Sequence, residues 1–134
     1  VTEGMEIPII EKNPTTQQLV KYAGASGDFY QIHYDDDFAK GNNLPDIIVH
    51  GALKGMLVGR LLDEICGDSG RITNFGVSYR GMDPARQDLT VHATVIKKYE
   101  ENGEHLLDLE VGVKQEDGST ETTPGTATIA VPTN

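Results

Sequence analysis

Residues 51–66, GALKGMLVGRLLDEIC, and residues 71–79, RITNFGVSY, carry two different apolar periods side by side. In the first stretch Leu53, Leu57, Leu61 and Ile65 recur every fourth residue, and Met56 and Leu62 widen the stripe. That spacing predicts an amphipathic helix over 51–66. In the second stretch Phe75, Val77 and Tyr79 alternate, as in a strand with one buried face. Gly51, Gly55 and Gly59 form a further every-fourth-residue row. Glycine costs a helix ~1 kcal/mol relative to alanine, so three of them call for a reason. Two stay open: close approach of the helix backbone to a sheet or another chain, or room for a ligand chain along that face.

The period of two continues downstream. Leu89, Val91, Ala93 and Val95 alternate, then Leu107, Leu109, Val111 and Val113, then Ala127, Ile129 and Val131. Asn102-Gly103 and Asp117-Gly118 separate these runs, and both dipeptides favour tight hairpin turns. An antiparallel meander of about four strands follows. Upstream, Met5 to Glu11 holds Ile7, Ile9 and Ile10 and reads as a short strand. Pro14 and Thr15 open a first helix, with Thr15 and Gln18 spaced as a capping box. Leu19, Val20 and Ala23 share a helical face, and Gly24 and Gly27 end it. Asp28 therefore stands at a helix exit, and Asp35 to Lys40 forms one short helical turn. Helices first and strands second argue an α+β fold. The economical packing lays the 51–66 helix on the apolar face of the sheet, an antiparallel sheet wrapped around a long central helix, which is the hotdog architecture. Five or so strands leave an edge, which such sheets hide by pairing with another subunit, so a dimer is expected.

The chain of 134 residues fits one domain over 1–134. Its formal charge of −10 arises from 21 acidic and 11 basic residues, with no Lys/Arg cluster, which excludes a nucleic-acid binder. No run approaches the ~20 apolar residues that cross a bilayer, so no membrane partner is expected. Residues 1–10 carry Glu3 and Glu6 without a basic region and do not read as a secretory signal. Cys66, the lone cysteine, excludes an internal disulfide and a multi-cysteine metal site, and its place on an apolar helix suggests a buried, inert thiol. Together these point to a soluble cytoplasmic protein.

The densest polar constellation is Ser26-Gly27-Asp28-Phe29-Tyr30-Gln31-Ile32-His33. On a turning segment, Asp28 and His33 can converge on one point. A carboxylate and an imidazole that share a water can take a proton from it and deliver one to carbon. The same spacing also suits structural roles, with Asp28 capping backbone amides and His33 as a satisfied core histidine. Val49-His50-Gly51 is the second constellation. If the long helix starts here, the Gly51 amide is a free donor at the positive end of the helix dipole, suited to an oxyanion. Taken alone, the three residues are better read as an ordinary helix start with a histidine near its cap. His92 and His105 fall in strand patterns. Asp35-Asp36-Asp37 cannot all face one ion on a regular element, and favours a helix N-terminus instead. No metal and no cofactor is expected.

Taken together these residues resemble the MaoC-like family of R-specific enoyl-CoA hydratases and 3-hydroxyacyl dehydratases, a hotdog family. Tyr22, Ser26-Gly27-Asp28, Ile32, His33 and Ala39 match its first motif, and Val49-His50-Gly51 its second. The resemblance spans Pro14 to the last strand. Two departures stand out. The family's Asn-Pro is Tyr30-Gln31 here. Where the family carries a proline and then Gly-Asp, this chain has Gly81-Met82-Asp83-Pro84-Ala85-Arg86-Gln87-Asp88. The second departure falls on the binding rim rather than on the acid–base pair.

The resemblance implies a hydro-lyase acting on an acyl-CoA or acyl-carrier thioester. Asp28 and His33 are then catalytic, the Gly51 amide is the oxyanion donor, and Tyr30, His50, Gly55, Arg80 and Arg86 bind substrate. A coenzyme A thioester carries phosphates and needs a basic rim, for which Lys54, Arg60, Arg71, Arg80 and Arg86 are candidates. An acidic carrier protein would meet broader repulsion, so the free coenzyme A thioester is favoured. Two rival readings remain: a hotdog thioesterase with Asp46 as the base, and a hotdog subunit shaping the acyl tunnel for a partner. The assembly is either a homodimer or a heterodimer with a related hotdog chain.

Overall fold

The computed structural model describes residues 2–132. In chain order the elements are β1 (Glu6–Lys12), α1 (Thr16–Ser26), a 3-10 turn (Gln31–His33), α2 (Asp36–Gly41), α3 (Gly51–Cys66), β2 (Arg71–Val77), β3 (Leu89–Glu101), β4 (Glu104–Lys114) and β5 (Gly125–Val131). The side chains of Ile9 and Ile10, read as part of the first strand, lie outside the described part. The caps follow the sequence. The Thr15 hydroxyl accepts from the Gln18 amide, and Gly27 closes α1 in the left-handed region at φ 79°. The Asp35 carboxylate caps α2 by accepting from the Phe38 amide.

The helix at 51–66 forms with the expected bounds. It touches all five strands, and Leu53, Leu57, Val58, Leu61, Leu62 and Cys66 bury its inner face. This is the hotdog architecture, an α+β fold. Met56 departs from expectation. It is 61% exposed, because its position falls on the glycine face, away from the leucine stripe.

All strand pairs are antiparallel, and the order is β1-β3-β4-β5-β2. The turn at Asn102-Gly103 has both residues at positive φ, 53° and 79°, the pattern whose twist matches a two-residue hairpin. The meander expectation holds for β3 to β5 only. β2 does not neighbour β3; it pairs with β5 at the opposite edge. The reason is the helix. A sheet that curls around α3 needs a strand on its far flank, and residues 78–88 carry the chain back across. That connection is sewn on both sides. The Arg80 and Gly81 amides donate to the Thr122 carbonyl at 2.9 and 3.1 Å, the Val49 amide donates to the Asp83 carbonyl at 2.8 Å, and the Ala85 amide donates to the Ile47 carbonyl at 2.8 Å.

The row of glycines has its explanation here. A Cβ on Gly51 would stand 3.2 Å from the Tyr79 ring, one on Gly55 would stand 2.6 Å from the Tyr79 hydroxyl, and one on Gly59 would meet Phe75 at 3.7 Å. The bare helix face receives aromatic side chains from β2 and the segment after it. Among the described residues, no helix is long and apolar enough to cross a membrane.

Candidate active site

The site forms where three separate segments meet: the exit of α1, the 3-10 turn, and the start of α3. Asp28 follows the Gly27 cap, which turns the chain out of α1. One carboxylate oxygen, Oδ1, accepts from the Tyr30 amide at 3.3 Å, so the capping role is real. The other, Oδ2, faces His33 Nε2 at 3.8 Å, with the Asp28 side chain 49% exposed and the His33 side chain 8% exposed. Both readings of Asp28 are therefore satisfied, one by each oxygen.

His33 is oriented by the backbone. Its Nδ1 lies 2.8 Å from the Ile48 carbonyl. A carbonyl only accepts, so Nδ1 carries the hydrogen, and in the neutral ring Nε2 holds the free lone pair. The same segment is held by the Ile48 amide, which donates to the Ile32 carbonyl at 3.0 Å. His33 Nε2 is thus a base without a direct donor, placed 3.8 Å from a carboxylate. That separation is too long for a direct hydrogen bond and suits a shared water.

Beside it opens a cavity of about 290 Å³ lined by His33, Ile48, Val49, Gly51, Lys54 and the 79–82 segment. Gly51 is the first residue of α3, and His50, which precedes it, makes no side-chain cap. The Gly51 amide has no acceptor among the described residues and stands at the positive end of the helix dipole. A base and a free amide donor thus share one cavity, and Asp28 approaches the base with its carboxylate half exposed.

The expected substrate contacts divide. Arg80 lines the cavity. Tyr30 stands over the site edge, its ring 6.3 Å from that of His33 and 5.9 Å from that of Phe38. Gly55 lines an adjoining groove with Met56, Gly59, Phe75 and Tyr79, but the Tyr79 hydroxyl takes the space over it. Two of the expected residues lie outside the cavity lining. Arg86 is bound to Asp46 at 2.6 Å and lies 3.9 Å from Asp36. His50 is fully buried, stacked behind His33 with ring centroids 3.8 Å apart, so it does not reach the cavity. The other rim candidates are also engaged: Arg60 with Glu64, Arg71 with Glu104, and Lys54 with Asp83.

The Lys54–Asp83 pair is a feature sequence reading does not find. Lys54 Nζ donates to Asp83 Oδ2 at 2.7 Å and to the Gly81 carbonyl at 3.0 Å, while the Thr122 hydroxyl donates to the same Asp83 oxygen at 2.7 Å. It ties α3 to the 78–88 connection and so fixes the cavity wall. A lysine inside an apolar helix was the available signal. Tyr79 is the second omission, foreshadowed only by its alternation with Phe75 and Val77. Tyr22 also belongs to the site: its ring meets His50 edge-on at 4.8 Å. Burial, then Tyr79 and Asp28, raise the Tyr22 phenol above its ordinary range.

Burial and the neighbouring His33 lower the His50 pKa, which disfavours a charge on its ring. Asp28, His33 and His50 also bring three potential ligand atoms within 4.8 Å of one another. The two rings are inclined by only 18°, which sends their lone pairs alongside rather than toward one ion. The arrangement handles protons more readily than it holds a metal.

A profile of the MaoC like domain matches residues 4–118, and the chain belongs to the MaoC-like domain family. It is 30% identical over 109 residues to the fatty acid synthase beta subunit hexB of Dothistroma septosporum, an alignment of 71% of this chain that spans only 6% of that protein. Among solved structures, the (R)-hydratase from A. caviae involved in PHA biosynthesis has a TM-score of 0.87 at 21% identity, with 98% of both chains covered. The ChsH1-ChsH2 complex from Mycobacterium tuberculosis has a TM-score of 0.83 at 21% identity over 98% of each chain. At such identities the likeness is one of fold.

Proposed function

We propose that the chain is a hydro-lyase that reversibly hydrates a trans-2-enoyl thioester, favouring the coenzyme A ester, to the R-3-hydroxyacyl thioester. The observation that carries this reading is the separation of 3.8 Å between His33 Nε2 and Asp28 Oδ2, beside a cavity that Gly51 also lines. Water held by the pair gives its proton to His33 as its oxygen adds to the β-carbon. The thioester carbonyl gains enolate character and accepts from the Gly51 amide. The pair then returns a proton to the α-carbon, so water is divided across the double bond and nothing else is consumed. Arg80 offers a positive charge at the cavity for a phosphate of the coenzyme.

The family, the hydratase fold and the likeness to a fatty acid synthase subunit support this class of reaction. The thioesterase alternative is less favoured, because Asp46 does not line the cavity and its Oδ1 is held by Arg86 and by the Ile47 amide. A cytoplasmic dimer completes the proposal. β2 is an edge strand exposed along most of its length, with Ile72 and Phe75 beside the exposed Met56 and Tyr79. A second copy, or a related hotdog chain, would cover that face.

The test is hydration of crotonyl-coenzyme A, followed by loss of the enoyl absorbance. Asp28→Asn and His33→Ala are each expected to lower turnover by roughly 10²–10⁴-fold with the thermal melt retained. Unchanged turnover in either variant refutes the assignment. Release of free thiol would identify hydrolysis instead.

A further inference from the structure

We infer that His50 is a positioning residue that holds both members of the acid–base pair at once, His33 through its ring and Asp28 through its backbone. This rests on the hydratase reading above. His50 is the residue just before α3 and is 0% exposed. Its ring lies face to face with that of His33, centroids 3.8 Å apart and planes inclined by 18°. Its Nε2 lies 3.3 Å from the Asp28 backbone carbonyl. Tyr22 closes the other side with its edge, 4.8 Å away at 65°. One side chain therefore touches the base directly and the carboxylate-bearing residue through its main chain.

The tautomer follows from the partner. A carbonyl can only accept, so Nε2 of His50 carries the hydrogen. Nδ1 is then a bare acceptor, and it is buried with no hydrogen-bond partner among the described residues. A buried polar atom without a partner is costly and calls for an explanation. A phenyl ring would fill the same space and stack on His33 without that cost. It could not donate to the Asp28 carbonyl. The imidazole thus meets two requirements that no aliphatic or phenyl side chain meets together: a flat face for His33 and a donor at its far edge for Asp28.

Neutrality completes the role. Burial and the proximity of His33 both disfavour a charge on His50. His33 can then accept the proton from water without a cation stacked against it. A misplacement of about 1 Å in a reacting group costs as much as 10²-fold in rate, so a side chain that sets the spacing of both groups acts on the chemical step rather than on substrate affinity.

Two variants separate the contributions. His50→Phe keeps the ring on His33 and deletes the donor. His50→Gln keeps an amide donor for the Asp28 carbonyl and deletes the ring. Each is expected to lower kcat for crotonyl-coenzyme A by about 10- to 100-fold, with KM unchanged within about twofold. Nitrogen NMR of the wild-type histidine rings supplies a readout that needs no variant: His50 is expected as the neutral Nε2–H tautomer and His33 as Nδ1–H. Full kcat in both variants, a loss confined to KM, or the opposite His50 tautomer overturns the inference. Failure of the wild-type protein to hydrate any enoyl thioester overturns the functional reading instead, and the tautomer measurement still decides whether the clamp exists.

Discussion

Two contacts between a carboxylate and a basic side chain meet near the start of α3, and they are built to opposite rules. Lys54 and Asp83 close on each other at 2.7 Å with side chains 2% and 0% exposed. His33 and Asp28 stop at 3.8 Å with Asp28 half exposed. Burial explains the contrast. A charge removed from water must be matched by a partner in contact, because its desolvation is otherwise uncompensated. A carboxylate with half its surface in solvent keeps water as a partner and tolerates a gap. The closed pair holds the wall of the cavity, while the open pair leaves a nitrogen and an oxygen without each other as direct partners. An unfilled contact at a half-exposed carboxylate is therefore the more informative of the two about chemistry, and a filled one about architecture.

The comparison breaks most visibly at the closed pair. Lys54→Met leaves the Asp83 carboxylate buried without its cation and is expected to destabilise the protein by roughly 3–5 kcal/mol, read from urea unfolding. Adding Asp83→Leu should recover much of that loss, since both charges are then gone. A loss below about 1 kcal/mol in the single variant would place the pair among weak surface contacts.

Next comes the donor beside the open pair. Proline is tolerated at the first position of a helix, and the preceding His50 has φ −57° and ψ 133°, a conformation compatible with a following proline. Gly51→Pro therefore deletes the amide hydrogen and keeps the helix. Turnover should fall by about 10²–10³-fold. Gly51→Ala crowds Tyr79 in the same way but retains the donor, so it should keep most of the activity. Equal losses in the two variants would assign the effect to Tyr79 and not to the amide.

The smallest effect sharpens the comparison from outside the site. Asp117 is a carboxylate whose pKa falls from 3.8 to about 2, chiefly through the Thr120 hydroxyl and then the Thr120 and Ser119 amides. A depressed folded-state value means that the ionised group stabilises the fold fully above the ordinary value, and that this contribution fades as pH falls toward the lower one. The difference in melting temperature between the wild type and Asp117→Asn should hold steady above pH ~4 and shrink toward pH ~2. A difference independent of pH would show that the turn does not depend on the charge.

Much of the fold was legible because it is written in local signals. The leucine stripe set α3, Thr15 and Gly27 set the ends of α1, and Asn102-Gly103 set the β3–β4 turn. The place of β2 was not legible, since alternation tells which face is buried and not which neighbour pairs. Asp28, His33 and Gly51, which the fold brings to one place, were singled out through their neighbours in sequence. His50 was assigned to substrate because position beside Gly51 does not reveal which way an imidazole points. Arg86 was assigned to the rim, and only the folded chain brings Asp46 and Asp36 within its reach. Lys54 and Tyr79 act through partners far along the chain, and no local pattern marks such contacts.

The wall of the cavity has one consequence for how such a protein can change. Lys54 and Gly51 belong to its rigid half, where a substitution disturbs the helix start or the buried pair. Met82, 60% exposed, and the exposed Arg80 form the other half. Exposed positions away from caps and buried pairs accept replacement at a cost usually within ±0.5 kcal/mol. The residues that hold the fold and those that shape the mouth of the cavity are thus different members of one lining, and an ancestral chain of this shape could alter that mouth through single surface mutations without passing through an unstable intermediate.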